Sequence, residues 1–174
     1  MIPQFHQESF DNGLKTIFSQ TNEVPKVYVR LKINGGSLLE NSKKVGVANL
    51  TAQMMNESTL NKSSEDISVA LQKLGSTVSF SSDGDVTTLF IESLTENFPQ
   101  TISLVEDKLL NPAFNEEDFK RVKKTNSEGL ESMKKNSQYL ASTTMGKVLF
   151  GDTPYGNSMS EKNLKKIKLK DVKE

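Results

Sequence analysis

His6 is the only histidine in the 174-residue chain, and there is no cysteine. Imidazole and thiolate hold most protein-bound zinc, so a site built mainly on them cannot come from this chain alone. The lack of cysteine also removes disulfides and thiol nucleophiles. Carboxylates remain for acid–base work, Glu57 and Glu92 among them. A working pair must be brought together by the fold, and no spacing in the sequence locates one. Like charge concentrates at Lys162, Lys165, Lys166, Lys168, Lys170 and Lys173, which reads as a solvated helix face and turn.

Lys plus Arg and Asp plus Glu both total 22. That balance provides no field for nucleic acid or an anionic membrane surface, and neither is expected as a partner. With 34% apolar and 25% charged residues, the composition is that of a soluble globular protein. The length suits a single domain over residues 1–174 with one core. No apolar run approaches the roughly 20 residues of a membrane-spanning helix. Residues 1–10 lack the basic-then-apolar order of a signal peptide. Any export signal is expected outside these residues, which leaves periplasm and cytoplasm both open. Richness in Lys, Asn and Ser points to an AT-rich bacterial genome.

The elements that would position any site follow from periodicity. Residues 5–10 and 14–19 alternate around Asn12-Gly13, a hairpin signal. In residues 27–33 the odd positions are apolar, which predicts a half-buried strand ended by Gly35-Gly36. Val47, Leu50, Met54 and Met55 suit a helix. Ser64 is expected to cap a second, with Ile67, Ala70, Leu71 and Leu74 on one face and Gly75 closing it. Strands over 77–81 and 86–93 flank Asp83-Gly84-Asp85 as another hairpin.

Phe98, Ile102, Val105 and Leu109 line a helix ended by Asn111-Pro112. Asn115 with Asp118 resembles a capping box opening a long helix to about Lys135. Ser137 caps a further helix carrying Leu140, Thr144, Val148 and Leu149 as far as Gly151. Ser160 and Glu161 start a short one with Leu164 and Ile167, and 171–174 begins another. The order predicts an α+β fold: a mainly antiparallel sheet with helices packed on one face. Ending on a helix start, the chain is expected to be a module truncated at its C-terminus.

Several segments, taken in order, resemble the repeated module of the insulinase/pitrilysin-type zinc metallopeptidases, the family that includes the mitochondrial processing peptidases. Phe10-Asp11-Asn12-Gly13-Leu14 is similar to its L-x-N-G-L hairpin. Gly35-Gly36-Ser37 and Gly46-Val47-Ala48 match its glycine turn and the start of its first helix. Leu74-Gly75-Ser76 fits its next hairpin. Asn111-Pro112-Ala113-Phe114 with Phe119-Lys120-Arg121 resembles P-x-F…F-x-R, and 149–156 resembles L-Y-G-x-H-P-Y-G. The likeness spans residues 5–168 and implies a metallohydrolase-like half-module.

Active members carry H-x-x-E-H on the first helix. Histidines at i and i+4 share one helix face and one zinc ion, and the Glu between them is the general base for zinc-bound water. The resemblance places that motif on Asn49, Leu50, Thr51, Ala52 and Gln53. Carboxamides replace both imidazoles and are poor zinc ligands, and Ala52 removes the base. The third ligand, a carboxylate some seventy-odd residues on, falls near Gly129, with Glu128 beside it. His6 alone does not rescue a metal site. Asn49, Ala52 and Gln53 are therefore read as degenerate positions with no catalytic or metal role, and no cofactor is expected in this chain.

By resemblance, two halves close like a clamshell around a chamber, one carrying zinc and the other completing the chamber and helping to bind extended peptide. The expected partner is a catalytic zinc-peptidase module, in the same chain or a second subunit. In active pairs the degenerate half often supplies an Arg and a Tyr near the reacting carbonyl, from a region that would lie beyond Glu174. A free-standing peptide-binding or scaffold protein that has lost its peptidase partner is the alternative.

Overall fold

Asn12-Gly13 makes the turn its residues promise. In the computed structural model, which describes residues 4–21 and 23–174, β1 (His6–Ser9) pairs antiparallel with β2 (Lys15–Phe18), His6 opposite Phe18. Gly13 holds φ +85° at the turn. This hairpin is a two-stranded sheet of its own. The part of the chain start read as lacking a signal pattern that falls on residues 1–3 lies outside the described residues.

The main sheet has three antiparallel strands, β3 (Lys26–Asn34), β4 (Thr77–Asp83) and β5 (Val86–Leu94), in the order β3-β5-β4. Leu31 and Phe80 both stand opposite Leu89. The expected alternation holds in β3, where Val27, Val29 and Leu31 are half-buried between exposed neighbours. Gly36 is required by packing. A Cβ there would lie 2.5 Å from the Gly84 carbonyl oxygen and 2.7 Å from the Val86 nitrogen. The chain can therefore leave β3 only by running against the β4–β5 turn.

Among the described residues seven helices follow or interleave: α1 (Val47–Met55), α2 (Ser64–Lys73), α3 (Phe98–Leu110), α4 (Glu116–Met133), α5 (Ser137–Phe150), α6 (Glu161–Lys166) and α7 (Leu169–Lys173). The expected N-caps shift by one residue at α2 and α5. Ser63 Oγ accepts from the Asp66 N–H, and Asn136 Oδ1 from the Tyr139 N–H. In each case the preceding residue has the extended backbone a cap needs. Gly75, at φ +59°, ends α2 as expected, with Ser76 N–H bonded to Leu71 O and Gly75 N–H to Gln72 O.

Two apolar clusters share α1 as their common wall. Leu50 and Met54 pack with Phe119, Val122 and Leu130 of α4 and with Leu164, Ile167 and Val172. Ala52 packs with Phe80, Leu89, Ile91 and Val105, between the sheet and α3. The fold is α+β, an antiparallel sheet backed by helices. α5 forms over the expected residues but stays open to solvent. No residue of α5 is buried, and Leu140, Val148 and Leu149 are exposed.

Candidate functional site

The candidate site is built on α1, whose two ends are tied down by charged side chains outside the helix, one from the preceding loop and one from α3. Gly46 precedes the helix at φ +106° and has no side chain to cap it. Glu40 does so instead. Its two carboxylate oxygens accept from the N–H groups of Gly46 and Ala48, both at 2.7 Å. An anion there also meets the positive end of the helix dipole. At the other end the Lys108 ammonium, 2% exposed, donates to the carbonyls of Met55, Asn56 and Glu57 at 3.3, 2.9 and 3.1 Å. Burial pushes the Lys108 pKa down to about 8, partly opposed by the charges of Glu57 and Asp107.

Asn49 and Gln53 share one face of α1, as their spacing requires. Gln53 Nε2 donates to Asn49 Oδ1 at 2.5 Å and to Asn126 Oδ1 at 3.2 Å. Asn126 Nδ2 returns a bond to Gln53 Oε1 at 2.7 Å and a second to Val122 O at 2.8 Å. Gln53 and Asn126 thus form a reciprocal pair that joins α1 to α4 across 73 residues of sequence, with Asn49 bonded to Gln53. Carbonyl lone pairs that a metal would need accept amide protons within this carboxamide cluster, and amide nitrogens are not ligands. The residues present do not fit zinc.

Sequence reasoning missed Asn126. Gly129, the expected third-ligand position, lies one turn further along α4, and a Cβ there would meet nothing within 4 Å. Glu128 points elsewhere: it is 65% exposed and pairs with Lys124 at 3.8 Å. Ala52 shows the largest change of role. It is 1% exposed and belongs to the sheet-side core, so the position that the resemblance assigns to the water-activating base holds a packed methyl group.

Other residues singled out earlier lie apart. The His6 ring stacks on Phe18 at 5.0 Å in the separate hairpin. Glu57 receives two bonds from Arg121, at 3.1 and 2.6 Å, and Glu92 pairs with Lys26 at 2.5 Å. These carboxylates are held by different cations and form no acid–base pair. Arg121 also grips Asp118 at 2.6 Å. Burial raises the Asp118 pKa, but hydrogen bonds from Ser58, Arg121 and Asn115 outweigh it and hold the carboxyl below its usual range. Among the described residues no three His, Cys, Asp or Glu side chains converge as metal ligands. No described helix is long and apolar enough to cross a membrane. Of the lysines near the end, Lys162, Lys165 and Lys166 line a cleft of about 700 Å³ together with Leu130, Tyr139 and Met159.

The sequence profile of "Insulinase (Peptidase family M16)" matches residues 15–162. The chain belongs to the insulinase family. Among curated proteins it is similar to a "Non-peptidase homolog YmxG" of Helicobacter pylori, 25% identical over 171 residues, covering 97% of this chain and 40% of that protein. It is also similar to the alpha-1 subunit of the mitochondrial-processing peptidase of Dictyostelium discoideum, 27% identical over 148 residues, covering 84% of this chain and 22% of the relative. Among solved structures, an inactive M16 peptidase domain from Pseudomonas fluorescens superposes with a TM-score of 0.89 at 27% identity, over 98% of this chain and 42% of that one. The chain thus spans less than half the length of these insulinase-family relatives.

Proposed function

We propose that this chain is the non-catalytic half of an insulinase-family zinc peptidase. It completes the chamber opposite a catalytic module and helps to hold extended peptide. The carboxamide cluster of Asn49, Gln53 and Asn126 carries the reading. The helix is capped and packed, while the side chains at the ligand positions implied by the resemblance are tied to one another. In this reading the zinc resides in the partner module, which is either a further part of the same polypeptide or a second subunit.

Two observations support a partner. The chain covers 40% of its Helicobacter relative and 42% of the Pseudomonas domain. α5 also presents Met145, Val148, Leu149 and Phe150 at exposures of 50% or more, an apolar surface of the kind that marks an interaction site. A free-standing binding or scaffold protein is the second reading, favoured by the name of the Helicobacter relative, which is called a non-peptidase homologue.

The test is reconstitution. An H-x-x-E-H module encoded in the same or a neighbouring gene is assayed on a fluorogenic extended peptide with and without this chain. The expected result is no hydrolysis by this chain alone, zinc present or absent, and a gain in the module's rate when the chain is added. Chelator-sensitive hydrolysis by this chain alone would sink both readings. A catalytic module indifferent to the chain would leave the scaffold reading.

A further inference from the structure

β4 is an edge strand. The sheet runs β3-β5-β4, and the outer flank of β4 pairs with no strand among the described residues. An edge of this kind offers main-chain N–H and C=O groups to any extended chain that approaches it. In an antiparallel ladder these groups point alternately to the two sides. Those of Phe80 point away from β5 because they are bonded on the other side, to Asn56. Phe80 N–H donates to Asn56 Oδ1 at 2.8 Å, and Asn56 Nδ2 donates to Phe80 O at 2.8 Å.

A carboxamide carries the same donor and acceptor as a peptide unit, and here it takes the place of one residue of an added strand. It is held in that pose by a further bond from Nδ2 to Ala52 O at 3.2 Å. The Asn56 backbone is itself anchored, since its carbonyl is one of the three that accept from buried Lys108. The cap is therefore part of α1's attachment to the sheet. The next outward-facing main-chain groups belong to Val78 and Ser82, two residues to either side, about 7 Å away along the strand. A peptide pairing along β4 must satisfy 78, 80 and 82 in succession, and at 80 both groups are taken and the space beside them is filled.

We propose that Asn56 closes the outer edge of β4 to main-chain pairing, so that extended peptide held by this chain binds away from that strand. The inference rests on the hydrogen bonds of Asn56 and holds for either reading of the chain's role. It narrows where a chamber-lining half contacts peptide, and it leaves α1 with two blocks, a spent ligand set on its α4 side and a plug on its sheet edge.

The experiment measures backbone amide exchange and probe binding in the native chain and in Asn56→Ala. The probe is fluorescein-labelled, reduced and carboxymethylated lactalbumin, a permanently unfolded chain. In the native protein, saturating probe should leave exchange at Val78, Phe80 and Ser82 unchanged. In Asn56→Ala the Phe80 amide should exchange roughly tenfold faster or more. The variant should also bind the probe roughly tenfold more tightly, with Val78 and Phe80 protected in the complex.

Asn56→Asp keeps an acceptor for Phe80 N–H but loses the donor, and its gain in binding should be intermediate. It provides the reading if Asn56→Ala fails to fold. Probe-induced protection at Val78 and Ser82 with Asn56 in place would overturn the proposal. So would no gain in probe binding on removal of the amide. No catalytic module enters the assay, so its outcome is separate from that of the reconstitution.

Discussion

α1 and α5 are both short helices rich in apolar residues, and the molecule treats them in opposite ways. α1 buries Leu50, Ala52 and Met54, is capped by Glu40 and Lys108, and is tied sideways to α4 and to the sheet. α5 buries nothing and holds Leu140, Met145, Val148, Leu149 and Phe150 in the open. The contrast teaches that α1, without ligands for zinc at 49 and 53, is still held on every side, its residues serving packing and hydrogen bonding. α5 by contrast leaves its apolar side chains uncovered.

The largest test of that contrast is truncation in each helix. Leu50→Ala should cost about 3–4 kcal/mol, since a fully buried leucine leaves a cavity in the cluster against α4. Val148→Ala should change stability by less than about 0.5 kcal/mol, as expected of an exposed site. Urea denaturation followed by far-UV circular dichroism measures both. Equal effects would mean that α5 is packed in the isolated chain and would remove its role as an open surface.

Ala52→Glu comes next. Placing a carboxyl among Phe80, Leu89 and Ile91 without a partner should cost about 3 kcal/mol, so the base cannot be restored by one substitution. A variant as stable as the native chain would show that the position still opens to solvent.

The carboxamide pair of Gln53 and Asn126 should contribute less. Gln53→Ala and Asn126→Ala are each expected to lose about 1–2 kcal/mol, with a coupling of about 1 kcal/mol in the double-mutant cycle. Strict additivity would mean that the two side chains do not form a clasp.

The smallest effect is on pH dependence. Asp118, Asp107 and Asp171 have pKa values held below the usual carboxylate range, Asp107 by hydrogen bonds from Thr59 and Asn61 and Asp171 chiefly by Lys44. With folded values depressed, their stabilisation is complete above about pH 4 and is lost as pH falls through the folded values. An acid titration of the melting temperature should therefore be flatter below about pH 4 in Asp118→Asn than in the native chain.

Most of the fold was legible because it is written in local signals. Asn12-Gly13, the alternation of residues 27–33, Gly75 and the turn at Gly84 each dictate their own geometry within a few residues. For α5 the sequence named Leu140, Val148 and Leu149 without saying what covers them, because residue types along a helix do not choose its neighbours. Ser63 and Asn136 displaced their neighbours as caps because the choice among adjacent polar residues depends on backbone angles fixed by the incoming chain.

At the candidate site the sequence by itself determined what chemistry is missing. With one histidine, no cysteine, carboxamides at 49 and 53 and a methyl at 52, the imidazoles and the base that the resemblance calls for are absent whatever the fold. Only the tertiary structure decided what these residues do instead. The antiparallel packing of α4 on α1 brings Asn126 to Gln53 and turns Glu128 outward. The seating of α1 on the sheet buries Ala52 and lays Asn56 along Phe80. Side-chain identity is a local property, but a hydrogen-bond partner 73 residues away is chosen by the packing of whole elements, which no spacing along the chain encodes.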